Sequence, residues 1–331
     1  MLSLLRKLLE TAPLIHPGFK PGMVYKRLKY CARGLAFPNA TVQWLELLGK
    51  PALAPVVRHQ PKLFQKLQRP YLASTLHTAE RLEVLTHHYR FVQQELGPAW
   101  AREIYSTPGK CLAGLQDEAG ERYEIRLKSS WMDKEGELTL TLQQQSTGVN
   151  LFALTFSITR FEADRCEALI GGLQGNKQAN DKDLVVALTR HWHGLRPKAL
   201  LLFAMHQLAE IWGVTRLRAV GDTTHIYQHW RQRKTVASSY DAWWREAGGL
   251  LGVDGLFDLP VRFVPRDIAT LKVNKRQMYK RRYLMLADLA GQINSSLGSP
   301  WQIPALIPKM ASNDLSTELI RPIASWGTSQ N

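Results

Sequence analysis

Two basic residues flank a proline where an apolar run begins. Arg196, Pro197 and Lys198 lead into Leu200, Leu201, Phe203, Ala204, Leu208 and Ile211. Proline suits the first position of a helix, where no intrahelical N–H partner is needed, so a helix is predicted to open at Pro197. The free amides of its first turn carry partial positive charge. With Arg196 and Lys198 beside them they form a cradle for a phosphate, pyrophosphate or carboxylate. The same residues also fit a basic helix start on a solvated surface, but basic side chains at a helix N-terminus oppose the dipole and so ask for a reason.

Three residues near this turn are of types that move protons. His193 precedes Gly194 and the basic turn, and His225 follows Asp222, Thr223 and Thr224. Either imidazole could act as a general base near neutral pH. If THIYQHW is a strand, Tyr227 shares a face with His225, because alternate side chains point the same way. Asp241 opens SYDAWWREAGG and is a candidate acid or base, although Ser239 or Asp241 would equally serve as a helix cap. For both histidines the competing reading is a packed or hydrogen-bonded structural residue. Gly172 and Gly175, with Gly171, break the end of the strand pattern CEALIGGLQG. His191 and His193 are only two apart and no catalytic metal spacing accompanies them, so no metal is expected.

The elements that must hold these residues change character along the chain. Up to about residue 100 the sequence is proline-punctuated and helical in period, with Val42, Leu45 and Leu48, then Leu63 and Leu67, then Leu82, Leu85, Tyr89 and Val92. From Arg122 the period becomes two in YEIRLKSSW, GELTLTLQQQ, NLFALTFSITRF and CEALIGGLQG, which predicts four sequential antiparallel strands. The helix at Pro197, the strand VTRLRAV, a short LPVRF strand and a basic helix from about Asp267 to Ile293 follow. The expected organisation is a helical region over 1–115, a sheet core over 116–265, the basic helix over 266–295 and an extended tail over 296–331. The fold class is α/β (α+β), a mixed and mainly antiparallel sheet with packed helices.

Composition narrows the partners. The 331 residues include 43 Lys and Arg against 28 Asp and Glu, a formal charge of +15, which favours anionic partners. Hydrophobic residues make up 45% of the chain, enough for a folded core rather than disorder. Cys31, Cys111 and Cys166 are widely spaced, so neither a disulfide framework nor a zinc module is predicted and a reducing, cytoplasmic setting fits. No window approaches the roughly 18 apolar residues of a spanning helix. Contact with a membrane would come from the side, through basic and amphipathic surfaces, at the inner face of the inner membrane.

The strings HGLRPKALLLFAMHQLA, GDTTHIY, SYDAWWREAGG, LPVRF and KRQMYKRRYLMLADL occur in this order. Together they resemble the VirK/YbjX family of enterobacterial proteins, from about Met23 to Ile293. That resemblance implies a setting of virulence, envelope stress and survival of cationic antimicrobial peptides. A second resemblance is architectural. Antiparallel strands, a glycine-bearing strand end at Gly171, Gly172 and Gly175, a helix and the strand Val214–Val220 are similar to GNAT-type acyltransferases, in which the splayed strand and the next helix N-terminus hold the pyrophosphate of coenzyme A; the resemblance implies cofactor contacts at Gly172, Gly175, Arg196 and Lys198. Here residues 176–195, including DKDLVVALTRHW, intervene before Arg196.

The basic helix adds Lys272, Lys275, Arg276, Lys280, Arg281 and Arg282 without an intervening acid. Such density calls for anionic partners: phospholipid headgroups, lipopolysaccharide phosphates, or a phosphorylated carrier such as coenzyme A or acyl carrier protein. Nucleic acid would serve the charge, but no helix-turn-helix, zinc-finger or RNP pattern is present. Two functions are therefore expected to compete. One is an acyltransferase acting on an envelope component; the other is a non-catalytic accessory protein that binds lipid or a protein partner.

Overall fold

The computed structural model describes residues 2–117, 119–176, 182–228 and 239–298. The helical region contains α1 (Leu2–Ile15), α2 (Pro21–Ala36), α3 (Pro38–Leu48), α4 (Ala54–His59), α5 (Thr78–Phe91) and α6 (Gly97–Tyr105). Proline opens α2 and α3 at their first turns, where its missing N–H costs nothing. Then come β1 (Lys110–Gln116), β2 (Arg122–Ser129), β3 (Leu138–Gln144), β4 (Asn150–Glu162) and β5 (Arg165–Gly175). The chain continues with α7 (Lys182–His191), α8 (Pro197–Ile211), β6 (Val214–Val220), α9 (Tyr240–Glu246), β7 (Leu250–Leu251), β8 (Leu256–Leu259) and α10 (Val273–Ser296).

The strands form one sheet in the order β1-β2-β3-β4-β5-β6-β8-β7. Strands β1 to β5 are an antiparallel meander, whereas β6 lies parallel to β5 and antiparallel to β8. The mixed, mainly antiparallel sheet with packed helices is the architecture that the strand pattern predicts. Leu138 through Leu142 are all buried, and successive side chains point to opposite faces, so the sheet is covered on both sides. Every residue of α8 from Leu200 to Ala209 is buried as well, as for a helix enclosed all round. One apolar core runs from Trp44 to Ile293 and joins the helical region to the sheet.

Some local expectations need correction. Strand β1 lies inside the range expected to be helical. The segment THIYQHW does not form a strand over its described part: Ile226–Gln228 is one tight helical turn, and His229 and Trp230 lie outside the described residues. Thr224 holds that turn, since its hydroxyl accepts from the Gly221 amide at 2.9 Å and donates to the Gly255 carbonyl at 3.0 Å. Only Leu259 of LPVRF belongs to a strand, β8, because Pro260 cannot donate to the ladder. Helix α10 starts at Val273, after a separate turn at Ile268–Thr270 capped by Asp267. The expected tail falls outside the described residues from 299 onward.

One topological feature positions everything that follows. Register pairs between β5 and β6 run from Cys166↔Val214 to Ile170↔Ala219 and stop there. Beyond that point β5 continues to Gly175 paired with β4 alone. Strand β6 itself ends one residue later, at Val220, so the edge of β5 over Gly171–Gly175 is left without a strand neighbour on that side.

Candidate active site

Tyr240, the first residue of α9, lies against that uncovered edge of β5. Its hydroxyl accepts a hydrogen bond from the Leu173 amide at 3.2 Å, an amide on the stretch of β5 that β6 no longer accompanies. Two carboxylates fix the approach of α9. Asp222 Oδ1 accepts from the Tyr240 amide at 2.6 Å, and Asp241 Oδ1 accepts from the Asp222 amide at 2.7 Å. Ser239 caps the helix through the Ala242 amide. Trp244 is buried and donates its indole N–H to the Val220 carbonyl at 2.8 Å, which ties the helix to the last residue of β6.

Against this frame lies Glu135, from the loop between β2 and β3, with no solvent exposure. Gln174 donates its side-chain amide to both carboxyl oxygens, at 3.2 and 3.0 Å. Tyr227 hydrogen-bonds the same carboxyl. Burial outweighs both bonds and pushes the Glu135 carboxyl up to about 7, the range suited to a general base or acid at neutral pH. Burial and the neighbouring Glu135 push the Tyr227 hydroxyl up to about 12. Tyr227 is half-buried and so connects the enclosed carboxyl with the surface.

Glycine makes the arrangement feasible. A Cβ on Gly172 would stand 2.0 Å from Glu135 Oε2, and one on Gly171 would stand 2.0 Å from the Glu135 carbonyl oxygen. Glu135 thus fills the space beside both glycines. Gly175 pairs with Phe152 at the end of β5.

His225 completes the cluster. Its ring stacks on Tyr240 at 4.9 Å between centroids and lies 5.1 Å from the Tyr227 ring. Burial lowers its pKa to about 4, so the imidazole is neutral. Nδ1 accepts from the Tyr227 amide at 3.3 Å, which assigns the proton to Nε2. That Nε2 is buried without a hydrogen-bond partner among the described residues. The segment Tyr71–Ser74 backs the cluster: Leu72 donates to the Lys134 carbonyl, Ala73 bridges His225, and Ser74 donates to the Thr224 carbonyl.

His193 and Asp241 are placed differently from His225. His193 adopts φ 52° after α7, and its carbonyl accepts two bonds from the Arg282 guanidinium, at 3.0 and 2.6 Å. Burial, then Arg281, His191 and Arg282, lower its pKa. It anchors α10, whereas Asp241 spends its carboxylate on the Asp222 amide and Arg245. Arg196 and Lys198 do lie at the α8 N-terminus, and Trp243 of α9 sits under both, 4.9 and 6.0 Å from ring centroid to cation. Arg196 is ion-paired with Glu246, so a carboxylate already stands where an anion was expected. Helix α9 therefore links the basic start of α8 to the β5 edge at Leu173.

Sequence reading misses Glu135 and Gln174. The signal was Glu135-Gly136-Glu137 directly before LTLTL, two acids at the mouth of a buried strand. Glu137 is also buried, paired with Lys66 and accepting from the Tyr89 hydroxyl at 2.6 Å. Its amide donates to Ser157 Oγ, which lies 2.6 Å from the Tyr71 hydroxyl. Cysteine offers no competing nucleophile: burial raises all three thiols, Cys166 to about 11. No group of metal-binding side chains occurs among the described residues. No helix among them is long and apolar enough to cross a membrane.

The fold and site define a mixed-sheet protein with a buried carboxyl beside the β5 edge beyond the end of β6 and a helical layer on its sheet. Residues 21–295 match the family described as protein of unknown function (DUF535). The chain is 34% identical over 272 residues to a protein of Escherichia coli described as uncharacterized protein YbjX, covering 81% of this chain and 82% of that one. It belongs to this YbjX-containing family. A Mannheimia haemolytica protein described as membrane protein LapB is 25% identical over 200 residues, 59% of this chain and 82% of its own length. Among solved structures, a mutant cAMP-binding acyltransferase from Mycobacterium smegmatis covers 68% of this chain and 64% of its own, at 10% identity and a TM-score of 0.28. That score is too low to carry an argument.

Proposed function

We propose that this protein is an acyltransferase that moves an acyl group from a phosphorylated thioester carrier, coenzyme A or acyl carrier protein, to an amine or hydroxyl of an envelope component. The observation that carries the reading is Glu135, a buried carboxyl held at about 7 against Gly171 and Gly172 of β5. As the acceptor attacks the thioester carbonyl it passes its proton to Tyr227, which passes its own to Glu135. One C–S bond breaks, one C–N or C–O bond forms, and the departing thiolate takes the proton back. The unspent Nε2–H of His225 is the donor for the carbonyl oxygen. Arg196, Lys198 and the first-turn amides of α8 are the carrier's phosphate contacts, and the carboxylate of Glu246 at Arg196 stands in for such an anion. The envelope setting is supported by the resemblance to the VirK/YbjX family.

The test is thiol release from acetyl-coenzyme A and from acyl carrier proteins, with envelope extract as acceptor. E135Q and Y227F should each lose on the order of a hundredfold, with unchanged thermal melts for Y227F and a rate in the parent that rises through about pH 7. Turnover equal to the parent's in E135Q would reject the role of Glu135. Absence of turnover with every carrier would leave the accessory-protein reading, which the exposed cations Lys275 and Arg281 of α10 favour.

A further inference from the structure

Helices α1 and α2 form a hairpin with its own small core, Leu4, Leu8, Ala12 and Ile15 of α1 against Tyr30 and Cys31 of α2. The outward sides of this hairpin expose apolar residues. On α1 the side opposite Leu4 and Leu8 carries Leu2, Leu9 and Pro13 beside the exposed Arg6–Glu10 ion pair, and on α2 the side opposite Tyr30 and Gly34 carries Tyr25, Leu28, Ala32 and Ala36. The α2 set recurs at helical spacing and so makes a continuous stripe. Phe19, in the connection between them, is 90% exposed, and Tyr25 and Leu28 are 64% and 63% exposed. Contiguous exposed apolar surface of this kind marks an interaction site.

Charge identifies the occupant. Glu10 is the sole acid between residues 2 and 37, against seven Lys and Arg, and it is paired with Arg6. Lys26 and Lys29 lie along one flank of the α2 stripe at helical spacing, and Lys20 stands beside Phe19. An apolar face bordered by cations matches a bilayer whose hydrocarbon edge lies beneath anionic phosphates. We infer that the outer face of the α1–α2 hairpin docks this protein on an anionic lipid bilayer, with Phe19, Tyr25 and Leu28 entering the headgroup boundary and Lys20, Lys26 and Lys29 meeting phosphates. This docking does not depend on the acyl-transfer reading.

The full chain should co-sediment with vesicles of phosphatidylglycerol and phosphatidylethanolamine and far less with phosphatidylcholine alone, and the binding should fade as salt rises. A variant carrying F19S, Y25S and L28S changes only exposed side chains and should keep its thermal melt while losing roughly tenfold or more in vesicle affinity. K26E with K29E should lose a similar factor, whereas K280Q with R281Q on α10 should bind as the parent does. Indifference of the parent to anionic vesicles would overturn the proposal, as would parental affinity in the triple serine variant. So would a parent that ignores vesicles but self-associates through this face, with the serine variant monomeric, because the occupant would then be a second copy of the chain.

Discussion

Glu135 occupies the volume that a side chain at residue 172 would need: a Cβ on Gly172 would meet Oε2 at 2.0 Å. At residue 171 the obstacle is instead the Glu135 carbonyl oxygen, also at 2.0 Å. The two neighbours differ in what can yield. A side chain can swing away, whereas a loop carbonyl moves only with its backbone.

G172A should therefore cost about 1–3 kcal/mol and displace the Glu135 carboxyl from Gln174 and Tyr227. G171A should cost more and distort the whole loop. Denaturant midpoints of the two variants give the ranking directly. A G171A protein as stable as G172A would mean that the loop before β3 is free to shift.

Glu135 also makes stability depend on pH with a definite sign. Its carboxyl sits at about 7 in the folded chain against 4.5 ordinarily, with burial the main cause. Between those values the folded state holds a proton that the unfolded state has released, so stability falls as pH rises through the window. The full penalty, about 3 kcal/mol, stands above about pH 7 and is absent below 4.5. E135Q should remove it, melting higher than the parent at alkaline pH with the difference closing toward pH 4.5. A constant gap across the window would show that this carboxyl is not the titrating group. Gaining stability while losing turnover is the pattern of a residue kept for chemistry.

Glu137, two residues on, is a different case. It is paired with Lys66, whose ammonium also lies 4.9 Å from the centre of the Tyr71 ring. Removing one partner strands the other charge in the core, so K66M should destabilise by about 3–5 kcal/mol. The double variant K66M with E137L removes both charges and should recover much of that loss. Equilibrium unfolding of the single and double variants tests this. If the double variant is no better than K66M, the contacts of Glu137 with Tyr89 matter more than its charge.

Much of the frame is legible in the sequence because its signals are local. Period-two runs bounded by turn residues announce β2 to β5, and Pro197 announces the start of α8. Of the adjacent Trp243 and Trp244, the second is fully buried and the first half-buried under Arg196 and Lys198. Strand β1 escapes notice because KCLAGLQ has no clean alternation and contains Gly114. His225 and Tyr227 do come together, but in a tight turn set by the Thr224 hydroxyl rather than on a strand face. Glu135 is invisible for a deeper reason. Its shifted ionisation depends on burial against Gly171 and Gly172, residues distant in sequence, and no local pattern encodes that approach. Gly171 and Gly172 were legible as a break at the end of β5, but not as the place where Glu135 packs.

The same limit applies to the basic start of α8, where Arg196, Pro197 and Lys198 were legible and the ion pair of Arg196 with Glu246 was not. Glu246 pairs with Arg196, and both side chains are about half exposed. An exposed pair of this kind contributes about 0.2–1 kcal/mol, so an incoming phosphate displaces it at small cost. E246Q should therefore raise affinity for coenzyme A or inorganic pyrophosphate by roughly one-and-a-half- to fivefold, while R196A with K198A should lose binding and keep the fold. Adding R196A to E246Q should erase the gain, because Glu246 competes with the ligand for that guanidinium alone. Calorimetry on the four proteins separates these outcomes. Unchanged affinity in E246Q together with unchanged affinity in R196A with K198A would place the carrier's phosphates elsewhere and leave Arg196 as a tie between α8 and α9.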